Sequence, residues 1–203
     1  KAHIMKNIKY TLFFLSILLI PISCTREEEE LPPARFDDTA EIFTDTFIGL
    51  GADFYFPYLG AKPDVFSVDE STGYNSNASI RIDVPNANDP GGNFAGAIFR
   101  VDGAGRDLTQ YNALTFWAKA SQSARIAEIG LGQNFLGDTY RAYRTNVDFT
   151  TQWRKFIIPL PDPSKLTQER GVFQFAAGGI GATGQEVGYT FWIDELKFEK
   201  LGT

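Results

Sequence analysis

The sequence predicts an all-β fold, a sandwich of two packed antiparallel sheets, and three observations predict it. Short segments with apolar residues at every second position recur between clusters of Gly, Asn, Asp and Pro, the period of a half-buried strand. Aromatic residues make up 14% of the chain, and 19 glycines stand against one methionine, a composition that suits pleated sheets and turns better than a helical bundle. Helix signals are scarce, the exception being Pro163 to Arg170, where Pro163 and Ser164 stand at the start of one helical turn.

Taken in order, the candidate strands are Glu41 to Phe47, Asp64 to Val68, Ser79 to Val84, Ala95 to Val101, Ala113 to Ala120, Arg125 to Leu131, Tyr140 to Phe149, Lys155 to Leu160, Val172 to Ala176 and Tyr189 to Phe198. Alternation then assigns faces. Leu114, Phe116 and Ala118 form one face of their strand against Thr115, Trp117 and Lys119, and Val147 and Phe149 oppose Asn146 and Asp148. The first set in each case is expected in the core. In the last strand Tyr189, Phe191 and Ile193 share one parity and Leu196 and Phe198 the other, which predicts a β-bulge near Asp194-Glu195.

The N-terminus has the layout of an export signal. Lys1 to Ile4 precede Met5, which reads as the initiator, so residues 1–4 are taken as a non-native remnant. Lys6 and Lys9 lead into the apolar run Tyr10 to Ile20 and then Pro21-Ile22-Ser23-Cys24, which predicts a lipoprotein signal peptide over residues 5–23 with Cys24 as the lipidated first residue. That apolar run is about a dozen residues, short of the roughly 20 needed to span a membrane as a helix. Residues 24–35, with Glu27 to Glu30 and Pro32-Pro33, read as an acidic tether, and residues 36–203 as one sandwich domain. An acidic run just past a lipidated cysteine resembles the surface-export signals of Bacteroidota lipoproteins; a plain solvated spacer is the alternative. The expected location is the outer membrane, lipid-anchored and exposed at the cell surface.

Composition also excludes functions. The net charge is −6 with cations scattered among acids, so no stripe of Lys and Arg is offered to a phosphate backbone, and nucleic acid is excluded as a partner. One cysteine rules out disulfides within the chain. The single histidine, His3, lies in the remnant, which removes histidine bases, Ser-His-Asp triads and histidine zinc sites.

The segments DLTQYNALTFWAKAS, TTQWRKFIIPLPDPSKLT and GYTFWIDELKFEKLG, in this order and spacing, resemble galactose-binding-like jelly-roll modules. More closely, they resemble the glycan-binding domains of surface lipoproteins in Bacteroidota polysaccharide-utilisation systems, with a looser likeness to family 11 carbohydrate-binding modules. The likeness covers roughly Phe43 to the C-terminus. It implies a jelly-roll sandwich that captures a polysaccharide without cleaving it, a β-glucan such as laminarin being favoured, for uptake and degradation, with an outer-membrane glycan-uptake complex as partner. It also implies a structural calcium between the first and last strands, carried to Asp194 at the acidic position of the last strand, with Asp45, Asp69 and carbonyls near Thr72 to Asn77 as companions.

Sugar binding asks for flat apolar faces that stack on pyranose C–H surfaces, and for amide, carboxylate and guanidinium groups that bond hydroxyls. Two surfaces supply both. One is a sheet face carrying Trp117, Tyr140, Arg144, Asn146 and Gln174, all off the assigned core parity; the other is a loop set of Phe54, Tyr55, Phe56 and Tyr58 with Asn93, Phe94, Gln133, Asn134 and Phe135. Trp192 falls on the outward parity of the last strand, where packing under a neighbouring loop is its other role. Two further functions stay open: an assembly lipoprotein docked through the same aromatic cluster, and a jelly-roll polysaccharide-degrading enzyme. Against the enzyme, Asp194 and Glu195 are adjacent, and Trp192 occupies the position where a strand-borne carboxylate pair would place its partner.

Overall fold

Alternating segments separated by turn residues pair here into two antiparallel sheets. The computed structural model describes residues 35–132, 140–179 and 187–202, and from Arg35 onward the chain forms one compact unit. The strands are β1 (Glu41–Thr44), β2 (Thr46–Phe47), β3 (Tyr55–Pro57), β4 (Phe66–Asp69), β5 (Ser79–Val84), β6 (Phe94–Arg100), β7 (Ala113–Ala120), β8 (Ala124–Leu131), β9 (Ala142–Phe149), β10 (Arg154–Pro159), β11 (Gly171–Gly178) and β12 (Tyr189–Glu199). One sheet runs β10-β7-β12-β1-β2, with β5 paired to the first half of β12 and β4 outside β5; the second runs β3-β6-β11-β8-β9.

Between the sheets, Phe43, Phe99, Phe116, Phe149, Phe173, Phe175, Phe191 and Phe198 are all buried. Each such side chain contributes about 1.5–3 kcal/mol relative to an exposed one. The expected core parity of β7 holds, with Leu114, Phe116 and Ala118 buried while Trp117 and Lys119 are half-buried on the other face. In β12 the register against β7 shifts between Asp194 and Lys197, and Glu195 has φ +49°. The bulge predicted there therefore exists, and it returns Leu196 and Phe198 to the core beside Tyr189, Phe191 and Ile193.

Several segments differ from expectation. Glu41 to Phe47 is two strands, because Asp45 turns the chain with φ +67°. The helical turn is a 3-10 turn over Pro163–Lys165, and the chain then leads into the buried side chain of Leu166. In β9, Ala142 is buried opposite Leu131 and Phe149 is buried opposite Ala124, seven residues away, so the strand changes phase between them. Asn146, with φ +54°, sits within that stretch. Parity counted back from Phe149 is consequently wrong for the first half of the strand.

Candidate functional site

The run Phe54-Tyr55-Phe56-Pro57-Tyr58 is divided by a strand that the sequence pattern did not reveal. Phe54 and Tyr55 turn inward: the Phe54 ring lies 4.4 Å from that of Phe47, and Tyr55 packs 4.8 Å from Phe66 and 5.5 Å from Phe99. Burial pushes the Tyr55 hydroxyl up to about 12, with Asp64 adding to the shift. These two residues are core packing, which corrects the expectation of an exposed platform. Phe56 and Tyr58 take the opposite parity and stay on the outer face of the five-stranded sheet.

Rows of cross-strand neighbours define that outer face, because residues directly opposite share a face. Phe56 lies opposite Ile98, Ile98 opposite Gln174, Gln174 opposite Gly130, and Gly130 opposite Tyr143. The adjacent row runs through Gly96, Ala176, Glu128 and Thr145. In its middle the small residues Gly96, Ala176 and Gly130 lie among Ile98, Gln174 and Glu128, and aromatic rings stand at both ends. Spanning five strands at about 4.8 Å each, the strip is roughly 19 Å wide. Glycine makes room at two places, and at Gly130 the neighbour is backbone. A Cβ on Gly96 would stand 2.9 Å from the Phe94 ring and 3.0 Å from the Tyr58 ring, and one on Gly130 would stand 2.2 Å from the Ala142 carbonyl.

A polar chain crosses the same strip. Tyr58 donates its hydroxyl to Gln174 Oε1 at 2.6 Å, Gln174 Nε2 donates to Glu128 Oε1 at 2.9 Å, and Arg141 Nη2 donates to the same carboxylate oxygen at 2.5 Å. The Arg141 guanidinium also lies 4.4 Å over the Tyr143 ring, and that of Arg100 lies 3.7 Å over Phe56. Burial raises the Tyr58 hydroxyl, with the nearby Glu128 charge adding to it, so the phenol stays a donor at all ordinary pH. Gln174 is fully buried and fixes its neighbours, whereas Tyr143 is 43% exposed. Tyr143 is the residue that sequence parity missed; the positive φ at Asn146 hides the signal, since Asn is among the few residues that tolerate it.

The remaining candidates lie elsewhere. Arg144 sits opposite the core residue Ile129, so it has core-side parity and reaches solvent from the edge strand, away from Gln174. Asn146 is exposed at the phase change. Tyr140 is half-buried, its hydroxyl accepting from the Asp162 N–H at 2.9 Å, and it anchors the 3-10 turn. Trp117 and Trp192 belong to the other sheet, on its outer face. Tyr74 stacks on Trp117 at 3.6 Å, and Trp192 donates its indole N–H to Asp69 Oδ2 at 2.9 Å. One expected face is therefore split between two sheets. Phe135, Gln133, Asn134 and Cys24 lie outside the described residues.

Asp45, Asp69 and Asp194 do not converge. Among the described residues no three Asp, Glu, Cys or His side chains gather at one point. Asp45 accepts from the Ala78 N–H, and Asp69 from the N–H and hydroxyl of Ser71. Asp194 is fully buried and accepts from Tyr74 N at 2.6 Å, Ser76 Oγ at 2.8 Å and Glu195 N at 2.7 Å. A cation needs oxygen lone pairs, and these are N–H and O–H donors aimed at the carboxylate. Burial raises the Asp194 carboxyl despite those donors. The donor set does not fit the calcium expected between the first and last strands; hydrogen bonds to carboxylates hold the 72–78 loop instead.

Residues 36–200 match the family model described as "Carbohydrate binding domain 30". A crystal structure of a family 30 carbohydrate-binding module is similar, with a TM-score of 0.57 at 20% identity over 81% of this chain and 88% of that one. The family 30 module of a cellulosomal cellulase of Clostridium thermocellum is similar with a TM-score of 0.51, 20% identity and coverage of 83% and 96%. An exo-β-agarase shares the fold at a TM-score of 0.56 and 8% identity over 81% of this chain and 26% of the agarase chain. No curated protein matches the chain.

Proposed function

The chain belongs to the carbohydrate binding domain 30 family, and on that premise we propose that it is a cell-surface lipoprotein that captures a β-glucan such as laminarin on the outer face of its five-stranded sheet. The observation that supports this face is the strip of small residues, Gly96, Ala176 and Gly130, between the rings of Phe56, Tyr58 and Phe94 on one side and Tyr143 on the other. Rings at both ends offer stacking surfaces to successive sugars, and Glu128 and Arg141, ordered from below by the buried Gln174, offer hydrogen-bonding groups to hydroxyls between them. Binding across a sheet face leaves few hydrogen bonds fully enclosed, so dissociation constants in the micromolar range, about 8 kcal/mol, are expected.

In this reading the anchor sets the role. Acylation of Cys24 and the acidic tether that follows hold the domain at the outer surface, where bound polysaccharide is passed to neighbouring depolymerases and an outer-membrane uptake complex. Intact-mass analysis of the membrane fraction tests the anchor; a mature chain without acyl groups on Cys24 defeats it. Native affinity electrophoresis against a polysaccharide panel tests the ligand. Retardation by laminarin, lost in Tyr143→Ala and Phe56→Ala with the thermal midpoint unchanged, is the expected result. Equal retardation of both variants and the parent removes the strip as the site.

A further inference from the structure

A second array of rings lies on the outer face of the seven-stranded sheet. Ser67, Arg81, Trp192 and Lys119 are successive cross-strand neighbours on β4, β5, β12 and β7, and Trp153 stands just before β10. Cations and indoles therefore alternate along one row. The Arg81 guanidinium is 6.0 Å from the Trp192 ring, and the Lys119 ammonium is 5.1 Å from Trp192 and 5.2 Å from Trp153. Both indoles and Lys119 are half-buried, so each keeps part of its surface open to solvent.

Charge pairing separates Lys119 from its neighbours. Arg81 is forked onto Asp83 at 2.9–3.1 Å, Lys155 is paired with Glu199 at 2.9 Å, and Lys197 with Glu195 at 3.3 Å. Lys119 makes no hydrogen bond or ion pair with any described residue. An ammonium has three N–H donors, and indole faces satisfy it only electrostatically. In a chain of net charge −6, an unpaired cation between two tryptophans is a poised anion contact rather than part of a general basic surface.

We infer that this face is a second glycan-binding site, selective for an acidic polysaccharide. The anionic group of one sugar would take the Lys119 ammonium, and the C–H face of that sugar or the next would lie on the indole of Trp192 or Trp153. The Trp192 ring is held for this by its bond to Asp69. Strip and row lie on opposite sheets, so the two sites bind independently.

Affinity electrophoresis of the full chain at low salt, with polygalacturonate as the carboxylate probe, dextran sulfate as the sulfate probe and laminarin as the neutral one, tests the inference. Retardation by polygalacturonate, dextran sulfate or both is expected, the responding probe naming the anionic group. Lys119→Gln should weaken that retardation about tenfold, as loss of one charge-assisted hydrogen bond does, and Lys119→Arg should retain it. Laminarin binding should be unaffected by Lys119→Gln, and Tyr143→Ala should leave acidic binding intact, so failure of one site is distinguishable from failure of the other. No retardation by either acidic probe overturns the second site. So does undiminished retardation of Lys119→Gln, or joint loss of acidic and neutral binding in Tyr143→Ala.

Discussion

Tyr58 and Gln174, 116 residues apart in sequence, are joined by a hydrogen bond of 2.6 Å that ties the segment after β3 to the middle of the five-stranded sheet. Because Gln174 is fully buried, the bond orients the Tyr58 ring from below. Gln174→Leu removes an acceptor from Tyr58 and a donor from Glu128, at a cost of about 1–3 kcal/mol. For a chain of this size that is a fall in thermal midpoint of about 2–4 °C per kcal/mol, measurable by calorimetry. Glycan binding should weaken in parallel, while Tyr58→Phe, which keeps the ring, should cost less on both counts.

Glycines of the strip make a second prediction. A Cβ at position 96 meets only side-chain rings, those of Phe94 and Tyr58, which can shift; a Cβ at position 130 meets the Ala142 carbonyl and the Tyr143 backbone, which cannot. Gly96→Ala should therefore fold with slightly reduced stability and weakened polysaccharide retention. Gly130→Ala should be the more destabilised of the two in urea titrations, because edge strand β9 must move.

Acid sensitivity is expected from Asp69. Hydrogen bonds from Ser71, and then from the Trp192 indole, hold its carboxyl at about 2 against an ordinary 3.8. A carboxyl depressed in the folded state contributes stability above its unfolded pKa and loses it as pH falls through the folded value, so the loss spans about pH 4 to 2. Allowing for screening by solvent, the contribution is about 1–2 kcal/mol. Asp69→Asn should be less stable than the parent by that amount at pH 6, the difference closing by pH 2, as read by denaturant unfolding at each pH.

Chelation and mutation should act differently at Asp194. With its oxygens already accepting from Tyr74, Ser76 and Glu195, addition of EDTA is expected to leave the thermal midpoint unchanged. Asp194→Ala strips those donors of their acceptor and should cost about 1–3 kcal/mol per group left unsatisfied. A clear drop in midpoint on EDTA alone would restore the calcium expectation. The sign at this residue opposes that at Asp69: burial raises the Asp194 carboxyl, so its ionisation disfavours the fold as pH rises through the folded value.

Local pattern carried much of the fold. Ser79 to Val84 and Ala113 to Ala120 are strands with the expected bounds, and the parity break in the last strand located the bulge at Asp194-Glu195, because a strand with one buried face must keep period two or insert a residue. The same logic failed at Asn146, where an αL residue changed the phase without any break in the apolar pattern, and Tyr143 was passed over for Arg144. It failed too at Tyr55–Pro57, a strand of only three residues, too short to show a period.

By itself, then, the sequence determined a two-sheet sandwich, most of its core faces, the aromatic richness of its surface and the absence of histidine or disulfide chemistry from its body. Only the tertiary structure decided which outward faces coincide. Alternation says that Trp117 and Gln174 both point away from the core, but a sandwich has two outer faces, and pairing through β12 puts Trp117 on one while pairing through β11 puts Gln174 on the other. Strand pairing joins residues far apart in sequence, and period two within a single strand carries no record of it.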